Sequence, residues 1–452
     1  MPRLVVDTNI IMLDANNISA LGADGTIVVL PETVLSELDN HKSGFNEINY
    51  QARLTGRLLA SCEIGDIVRI NGMVVTKLGL GDIQIEVVAL DTYSIDVNDS
   101  GSNDQKIIQV AKRMADVYGD TKFMSNDVLA RLRALGVGLA VTDFKEVDDD
   151  GYEFVREFEV LDAEVFRTLH KTGIEAVVED HKHENFNYKF SNPETGQIKL
   201  ATIGMGVISV LGKDTEKDLR RQDISPVNSE QLLFSKAIQD PLLDVVVCES
   251  LAGSGKTLLA LSNSIMLVKQ GKYDSILYVR ASVNDVDDAE EVGFLPGLDE
   301  KFAVYLHPMH DSLDAIVRGR YKATKLKGVE LEDKIAAEID KLVIDCHIEA
   351  TTTLGMRGRT YNSTIMIIDE VQNQSKSSLQ KVITRVGKNC KLLLLGSNNQ
   401  LDNNYMTKYT NGLSVILNAC KKEQSVLRLH AVTLHKVVRG VISEWAEKLF
   451  SK

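Results

Sequence analysis

Asp244-Val245-Val246-Val247-Cys248, then Ser250-Leu251-Ala252-Gly253-Ser254-Gly255-Lys256-Thr257 and the apolar run Leu258–Leu267, decide the fold of this 452-residue chain. In order they read as a buried strand, a glycine-rich loop and a helix. Gly253 and Gly255 let backbone N–H groups curl around an anion, and the helix N-terminus adds positive potential. Lys256 is then placed to reach the β- and γ-phosphates of a nucleotide, with the Thr257 hydroxyl on Mg2+. Ser250 stands where this motif has its first glycine, and a small residue fits there only if φ stays negative. The plain alternative is an ordinary glycine-rich turn, and the strand and helix on either side argue against it.

Downstream, Ile365-Met366-Ile367-Ile368-Asp369-Glu370 is an apolar strand ending in two carboxylates. Asp369 would hold Mg2+ through water and Glu370 would polarise an attacking water. Further apolar runs at 276–279 and 392–395 suggest a parallel sheet over residues 230–452. Residues 1–145 also alternate strand-like runs (Leu4–Val6, Ile27–Leu30, Leu139–Val141) with helical spacing at 50–61 and 104–117, the pattern of a second parallel α/β sheet. Between them the chain turns charge-rich. Asn185 to Phe190 alternates with period two, and Asn192-Pro193-Glu194-Thr195-Gly196 leads into Gln197–Ile203, which predicts a hairpin in a small β-rich module. The division is 1–148, 149–225 and 226–452, matching the two or three domains expected at about 150 residues each.

Composition narrows the partners. Hydrophobic residues at 44% and charged residues at 25% are ordinary for a globular chain and exclude a wholly disordered one. A net charge of −13 repels nucleic acid globally, so a nucleic-acid binder of this composition needs a local basic surface. No charged segment followed by an apolar one precedes the first strand, and no run of about 18 apolar residues occurs, so no secretory signal and no membrane span are expected. The 5 cysteines are scattered without a CxxC pair and read as reduced thiols, which points to the cytoplasm.

The N-terminal region carries four spaced acids. Val5-Val6-Asp7-Thr8-Asn9 sets a carboxylate at the end of the first strand, and Glu37 lies on the helix opened by Pro31-Glu32-Thr33. Asp104 sits in the first turn of a helix beginning at Asn103, and Phe123-Met124-Ser125-Asn126-Asp127 ends a strand in an acid. In a parallel sheet, strand C-termini and the following helix N-termini meet on one edge. Four acids gathered there repel one another. A divalent cation relieves that repulsion and lowers the pKa of bound water for attack on a phosphodiester. Taken singly, each acid is a helix cap or a solvated charge.

Several C-terminal blocks resemble the PhoH-like ATPases, which are similar to superfamily 1 helicase cores. They are Asn228-x-x-Gln231, the loop through Thr257, Gly293-Phe294-Leu295-Pro296-Gly297 and Arg357-Gly358-Arg359-Thr360. Asp369-Glu370-Val371-Gln372-Asn373, Thr384-Arg385-Val386-Gly387, Gly396-x-x-x-Gln400 and Asn411-Gly412-Leu413 complete the set. The resemblance implies that Gln231 contacts adenine, that Gln372 and Gln400 sense the γ-phosphate, and that Arg385 and Arg439 act as arginine fingers. Such an arginine is worth about 10³–10⁵ in rate. It also implies a homo-oligomer, with a hexameric ring as one form in which an arginine would cross between subunits. The family usually has Asp where this chain has Ser397, which predicts weaker coupling of hydrolysis to strand movement. The acidic stretch 285–291 reads as a solvated loop.

Asp7, Glu37, Asp104 and Asp127 resemble the acids of a PIN domain, a metal-dependent ribonuclease fold, with Thr8 and Asn126 in support. That resemblance implies Mg2+ or Mn2+ as cofactor beside ATP. Together the two predict an α/β chain with a PIN-like parallel sheet, a β-rich middle module and a P-loop NTPase core. Its expected function is ATP-dependent RNA unwinding or translocation coupled to endoribonuclease cleavage. Two rivals are an ATPase whose PIN domain only binds RNA, and a nucleotide-switched RNA-binding scaffold. A small-molecule kinase fits the loop but not the Asp-Glu-Val-Gln block.

RNA contacts have weaker signals. Arg318 to Lys327 gathers five basic residues around Tyr321, either a phosphate-binding strip or a solvated helix. Phe186, Tyr188 and Phe190 share a strand face that is either core or a base-stacking platform. His181 and His183 lie among charges, without enough further ligands for a metal site.

Overall fold

The computed structural model describes residues 1–43, 47–91, 101–144, 153–172, 185–204, 207–280, 298–321, 327–356, 358–401, 411–421 and 427–442, with positions 445 and 449. The expectations placed on 180–184, 285–291, 293–297, 322–326 and Arg357 lie outside the described residues. Two compact units are present, Met1–Glu146 and Val147–Lys452.

The first unit begins with β1 (Arg3–Val6), α1 (Thr8–Leu13), α2 (Asn17–Gly22), β2 (Ile27–Pro31), α3 (Glu32–Asn40) and α4 (Glu47–Ala60). Then come β3 (Glu63–Ile70), β4 (Met73–Leu80), β5 (Ile83–Leu90), α5 (Asn103–Tyr118), β6 (Thr121–Met124), α6 (Val128–Gly136) and β7 (Ala140–Thr142). The sheet order is β3-β4-β5-β2-β1-β6-β7. Strands β5, β2, β1, β6 and β7 run parallel, as the alternating pattern predicts. The edge formed by β3, β4 and β5 is antiparallel, a hairpin extension that the reading of 1–145 as all parallel misses. Its first turn places Asn71 and Gly72 at φ 48° and 66°, the left-handed region that an Asn-Gly pair enters most readily. Val5, Val6, Val28, Val29 and Leu30 are fully buried beneath helices, which is why the central strands read as unbroken apolar runs.

The second unit opens with β8 (Val155–Glu159), α7 (Ala163–Thr172), β9 (Asn187–Asn192), β10 (Gln197–Gly204) and β11 (Val207–Val210). It continues through α8 (Lys213–Arg220), α9 (Ser229–Gln239), β12 (Val245–Ser250), α10 (Lys256–Lys269), β13 (Ser275–Arg280), α11 (Leu298–Tyr321) and α12 (Val329–Asp345). The last elements are β14 (Ile348–Thr352), β15 (Thr364–Asp369), α13 (Lys376–Ile383), β16 (Lys391–Gly396), α14 (Gly412–Lys421) and β17 (Leu429–Leu434). Its main sheet, β14-β13-β15-β16-β12-β17, is parallel throughout. Strand C-termini at 250, 369 and 396 therefore share one edge, where ligands bind in open α/β sheets.

The β-rich stretch forms its own sheet, β11-β10-β9-β8, and the predicted hairpin is its β9–β10 pair. It is packed onto the nucleotide-loop sheet. Phe154, Tyr188 and Phe190 lie in one apolar cluster with Val245, Val247 and Ile368. Asn187 Nδ2 donates to Ala431 O at 3.0 Å and Asn185 Nδ2 to Cys420 O at 2.8 Å, both buried. Phe158 stacks on Phe190 at 5.7 Å between centroids, and Tyr188 and Phe190 are fully buried. The aromatic face is core, not an open stacking platform.

Candidate active sites

The loop Gly253–Thr257 turns out of β12 into α10. Gly253 and Gly255 adopt φ 71° and 89°, a backbone that L side chains enter only with strain. A Cβ on Gly253 would stand 3.0 Å from Arg439 Cβ, so the loop is tight as well as left-handed. Ser250 ends β12 in extended backbone, and its hydroxyl donates to Gly396 O at 3.3 Å. The departure at the motif's first glycine thus sits without a positive φ. Ser254 Oγ is buried in the loop without a partner, a donor that fits a bound anion.

Around the loop the predicted residues converge. Thr257 Oγ1 donates to Asp369 Oδ2 at 2.8 Å, pairing the hydroxyl and the carboxylate expected at the cation. Lys256 Nζ lies 3.7 Å from Glu370 Oε1. Burial works against the lysine's charge, but Asp369, Glu370 and other neighbouring groups together offset it, and its pKa is raised. Glu370 sits at φ 59°, held by its own N–H on Asp369 Oδ1 and by Gln372 Nε2 on its Oε2 at 2.6 Å. Gln372 Nε2 also donates to Gln400 O at 2.9 Å, and its Oε1 accepts from Ser397 N at 3.0 Å. Gln231 spans Val227 N and Ser254 O, at 2.9 and 2.8 Å, and so braces the loop from beneath.

Tyr278 was missed in the sequence. Its hydroxyl donates to the same Asp369 Oδ2 at 2.8 Å. The signal was a lone polar tip inside the apolar strand Ile276-Leu277-Tyr278-Val279. Arg439 lies beside the loop of its own chain. The segment before it is held by Val438 N on Gly253 O at 3.0 Å and by Glu230 Oε2, which accepts from His435 N and Lys436 N at 2.8 and 3.1 Å. Arg385 is half-exposed just past α13.

In the first unit Asp7 feels the charges of Glu37 and Asp104, while Asp127 caps a helix, and each of the four acids is answered by a donor of the protein. Asp7 Oδ2 accepts from Ser125 Oγ at 2.6 Å and Asn9 Nδ2 at 2.8 Å, while Oδ1 accepts from Thr8 N at 2.7 Å. Burial raises the Asp7 pKa most. The Ser125 and Thr8 bonds lower it, and Asp104 and Glu37 raise it as like charges. Glu37 takes hydrogen bonds from Thr8 Oγ1 and, at 2.6 Å, from Asn103 Nδ2. Asp104 is ion-paired with Arg133 at 2.9 Å. Asp127 is exposed and caps α6 through Leu129 N at 2.8 Å. Asn126 Oδ1 accepts from Phe144 N at 3.0 Å.

Among the described residues no group of three or more His, Cys, Asp or Glu side chains is placed to hold a metal ion. The donors nonetheless suit a hard divalent ion: oxygen ligands throughout, and an Asp7 carboxyl pushed up partly by two neighbouring acids that a cation would offset. Ser125, Asn103 and Arg133 were not singled out in the sequence, because each becomes a partner only when distant elements meet.

Arg318 and Arg320, the described arginines of the basic strip, are paired within the fold. Arg318 pairs with Asp314 at 2.6 Å and with Glu332, and Arg320 with Asp223 at 2.6 Å and Glu338 at 3.0 Å. Tyr321 packs against the core cluster. The described part of the strip is an ion-paired helix face rather than a free phosphate track. Arg359 pairs with Glu349. All five cysteines are free, and among the described residues no helix is long and apolar enough to cross a membrane.

Comparison with known proteins agrees with this arrangement. The PhoH-like protein family matches residues 223–451, and the PIN domain family matches residues 4–145. Protein PhoH2 of Bacillus subtilis (strain 168) is 27% identical over 440 residues, covering 92% of this chain and 93% of that protein. Protein PhoH2 of Thermobispora bispora is 25% identical, covering 91% of this chain and 89% of its own length. Protein PhoH of Escherichia coli (strain K12) is 29% identical over 204 residues, covering 44% of this chain and 51% of its own length. With a nucleotide loop and two-carboxylate strand in one unit and a PIN sheet in the other, the chain belongs to the PhoH-like family and carries an N-terminal PIN domain.

Proposed function

We propose that this protein hydrolyses ATP at the 253–257 loop to move along or open RNA, and that its N-terminal unit cuts RNA with a divalent ion, Mg2+ or Mn2+. The observation that carries the reading is the linkage of Thr257 to Asp369 and of Lys256, Glu370, Gln372 and Gln400 into one connected cluster. Lys256 and the N–H groups of the glycine loop grip the triphosphate, and Gln231 keeps the loop shaped. Thr257 and Asp369 hold the cation, which when bound spreads the charge of the transferring phosphoryl group. Glu370 orients the attacking water. Gln372 and Gln400 register the γ-phosphate, while Arg439 from its own chain and Arg385 from a neighbouring subunit of a homo-oligomer stabilise charge on it.

In the N-terminal unit, Asp7, Glu37, Asp104 and Asp127 would hold the divalent ion, whose chemistry is to acidify water at a phosphodiester. Ser125 and Asn9 fix the orientation of Asp7, and Thr8 that of Glu37. Two substitutions separate the activities. Lys256→Ala abolishes ATP turnover and leaves slow metal-dependent cleavage, and persistent turnover refutes the loop assignment. Asp7→Asn abolishes cleavage and leaves ATPase intact, and unchanged cleavage refutes the nuclease assignment. The Arg133–Asp104 ion pair favours a second reading, in which the PIN domain holds RNA without cutting it. Wild-type protein that binds RNA but leaves it whole in both Mg2+ and Mn2+ decides for that reading.

A further inference from the structure

Glu249 belongs to no motif, yet it stands between the two halves of the nucleotide site. It is the residue before Ser250 on β12 and pairs across the sheet with Gly396 of β16. Its Oε1 accepts from Asn398 N at 3.0 Å, with Asn398 Nδ2 3.5 Å from its Oε2. Asn398 is fixed in turn, because its Oδ1 accepts from Asn411 Nδ2 at 2.7 Å and from Ser414 Oγ at 3.2 Å. The carboxylate also feels the charge of Lys256. Burial drives the Glu249 pKa up to about 7, against the pull of the Asn398 N–H and the lysine.

An acid in such surroundings is costly, and four apolar or thiol side chains, Val245 to Cys248, precede it on the same strand. A strand end with no further task would continue that run. One residue past its partner Gly396 lies Ser397, where the resemblance leads one to expect Asp. Ser397 is fully buried and its hydroxyl has no partner.

We propose that Glu249 is a positioning residue of the ATPase site, holding Asn398 and with it the 396–400 loop that supports Gln372 and Glu370. The inference rests on the ATPase reading above. Lys256 lies 3.7 Å from Glu370, and Glu249 feels its charge. When a triphosphate engages the lysine, Glu249 loses part of its counter-charge, and its hold on Asn398 N becomes its principal support. The loop it holds also carries Gln400 O and Ser397 N, both bonded to Gln372, and Gln372 holds Glu370. Glu249 therefore bears on Glu370 through the loop.

The test uses the full chain with Glu249→Gln, Asn398→Ala and the double substitution, and measures steady-state ATP hydrolysis. Each single change lowers kcat about tenfold while KM for ATP moves less than about threefold, the signature of lost alignment rather than lost binding. The double variant is no slower than the slower single, because both changes cut one link. Wild-type kcat in Glu249→Gln, or effects that multiply in the double, overturns the inference. Wild-type protein that does not hydrolyse ATP overturns instead the reading on which the inference rests.

Discussion

Glu249 makes a second prediction, about stability, that depends on no activity. Unfolded, its carboxyl loses its proton near the usual 4.5; folded, burial holds the proton until about 7. Between those values the native state binds more protons than the unfolded one. The stability from this group is therefore complete below about pH 4.5 and is lost as pH climbs to about 7. A displacement of that size is worth about 3 kcal/mol, which partial access of solvent trims to about 2. Glu249 feels the charge of Lys256, whose own raised pKa keeps it protonated across this range. Glu249→Gln keeps the shape and has no proton to lose. Urea unfolding without nucleotide, at pH 5 and pH 8, should show the variant gaining about 2 kcal/mol on wild type at the higher pH. A difference between the two proteins that stays constant from pH 5 to pH 8 would refute the buried-acid account. A carboxylate that costs the fold this much and also slows the enzyme when removed is the trade expected at a working site.

Three further outcomes follow from single contacts. Tyr278→Phe removes one of the two hydroxyls on Asp369 Oδ2, so a Mg2+ titration of ATP turnover should need about tenfold more metal, as when an outer partner of a ligand is lost. Arg133→Ala frees Asp104 from its ion pair. Both side chains are well exposed, so calorimetry should show Mn2+ binding tightened by no more than about fivefold. Ser125→Ala deletes a hydrogen bond that lowers the Asp7 pKa. Asp7 then ionises at higher pH, and the acid limb of the cleavage-rate profile moves upward, while an unmoved limb means Asp7 does not govern it.

The two sites were legible to different depths, for a physical reason. A phosphate loop is made by consecutive residues, so Gly253, Gly255, Lys256 and Thr257 disclose it together, with the strand before and the helix after. In the first unit Asp7 and Asp127 stand just past a strand and Asp104 in the first turn of a helix, positions a parallel-sheet pattern marks, while Glu37 sits midway along α3. What the sequence withheld was what each carboxylate is doing. Ser125 reaches Asp7 across 118 positions, and Arg133 reaches Asp104 from a different helix. Nothing local marks either as a partner.

The same limit governs the basic strip. Arg318 and Arg320 look like the start of a phosphate track until Asp223, Glu332 and Glu338 arrive from other elements. The hairpin extension is a different kind of miss, because Asn71-Gly72 was a local signal left unread. Local patterns thus specify which groups reach the sheet edge, while their state of charge and pairing is set by residues the fold brings in later. Glu249 shows the consequence most clearly: in sequence it is one acid at the end of an apolar run, and it acquires a role only because β16 lies beside β12.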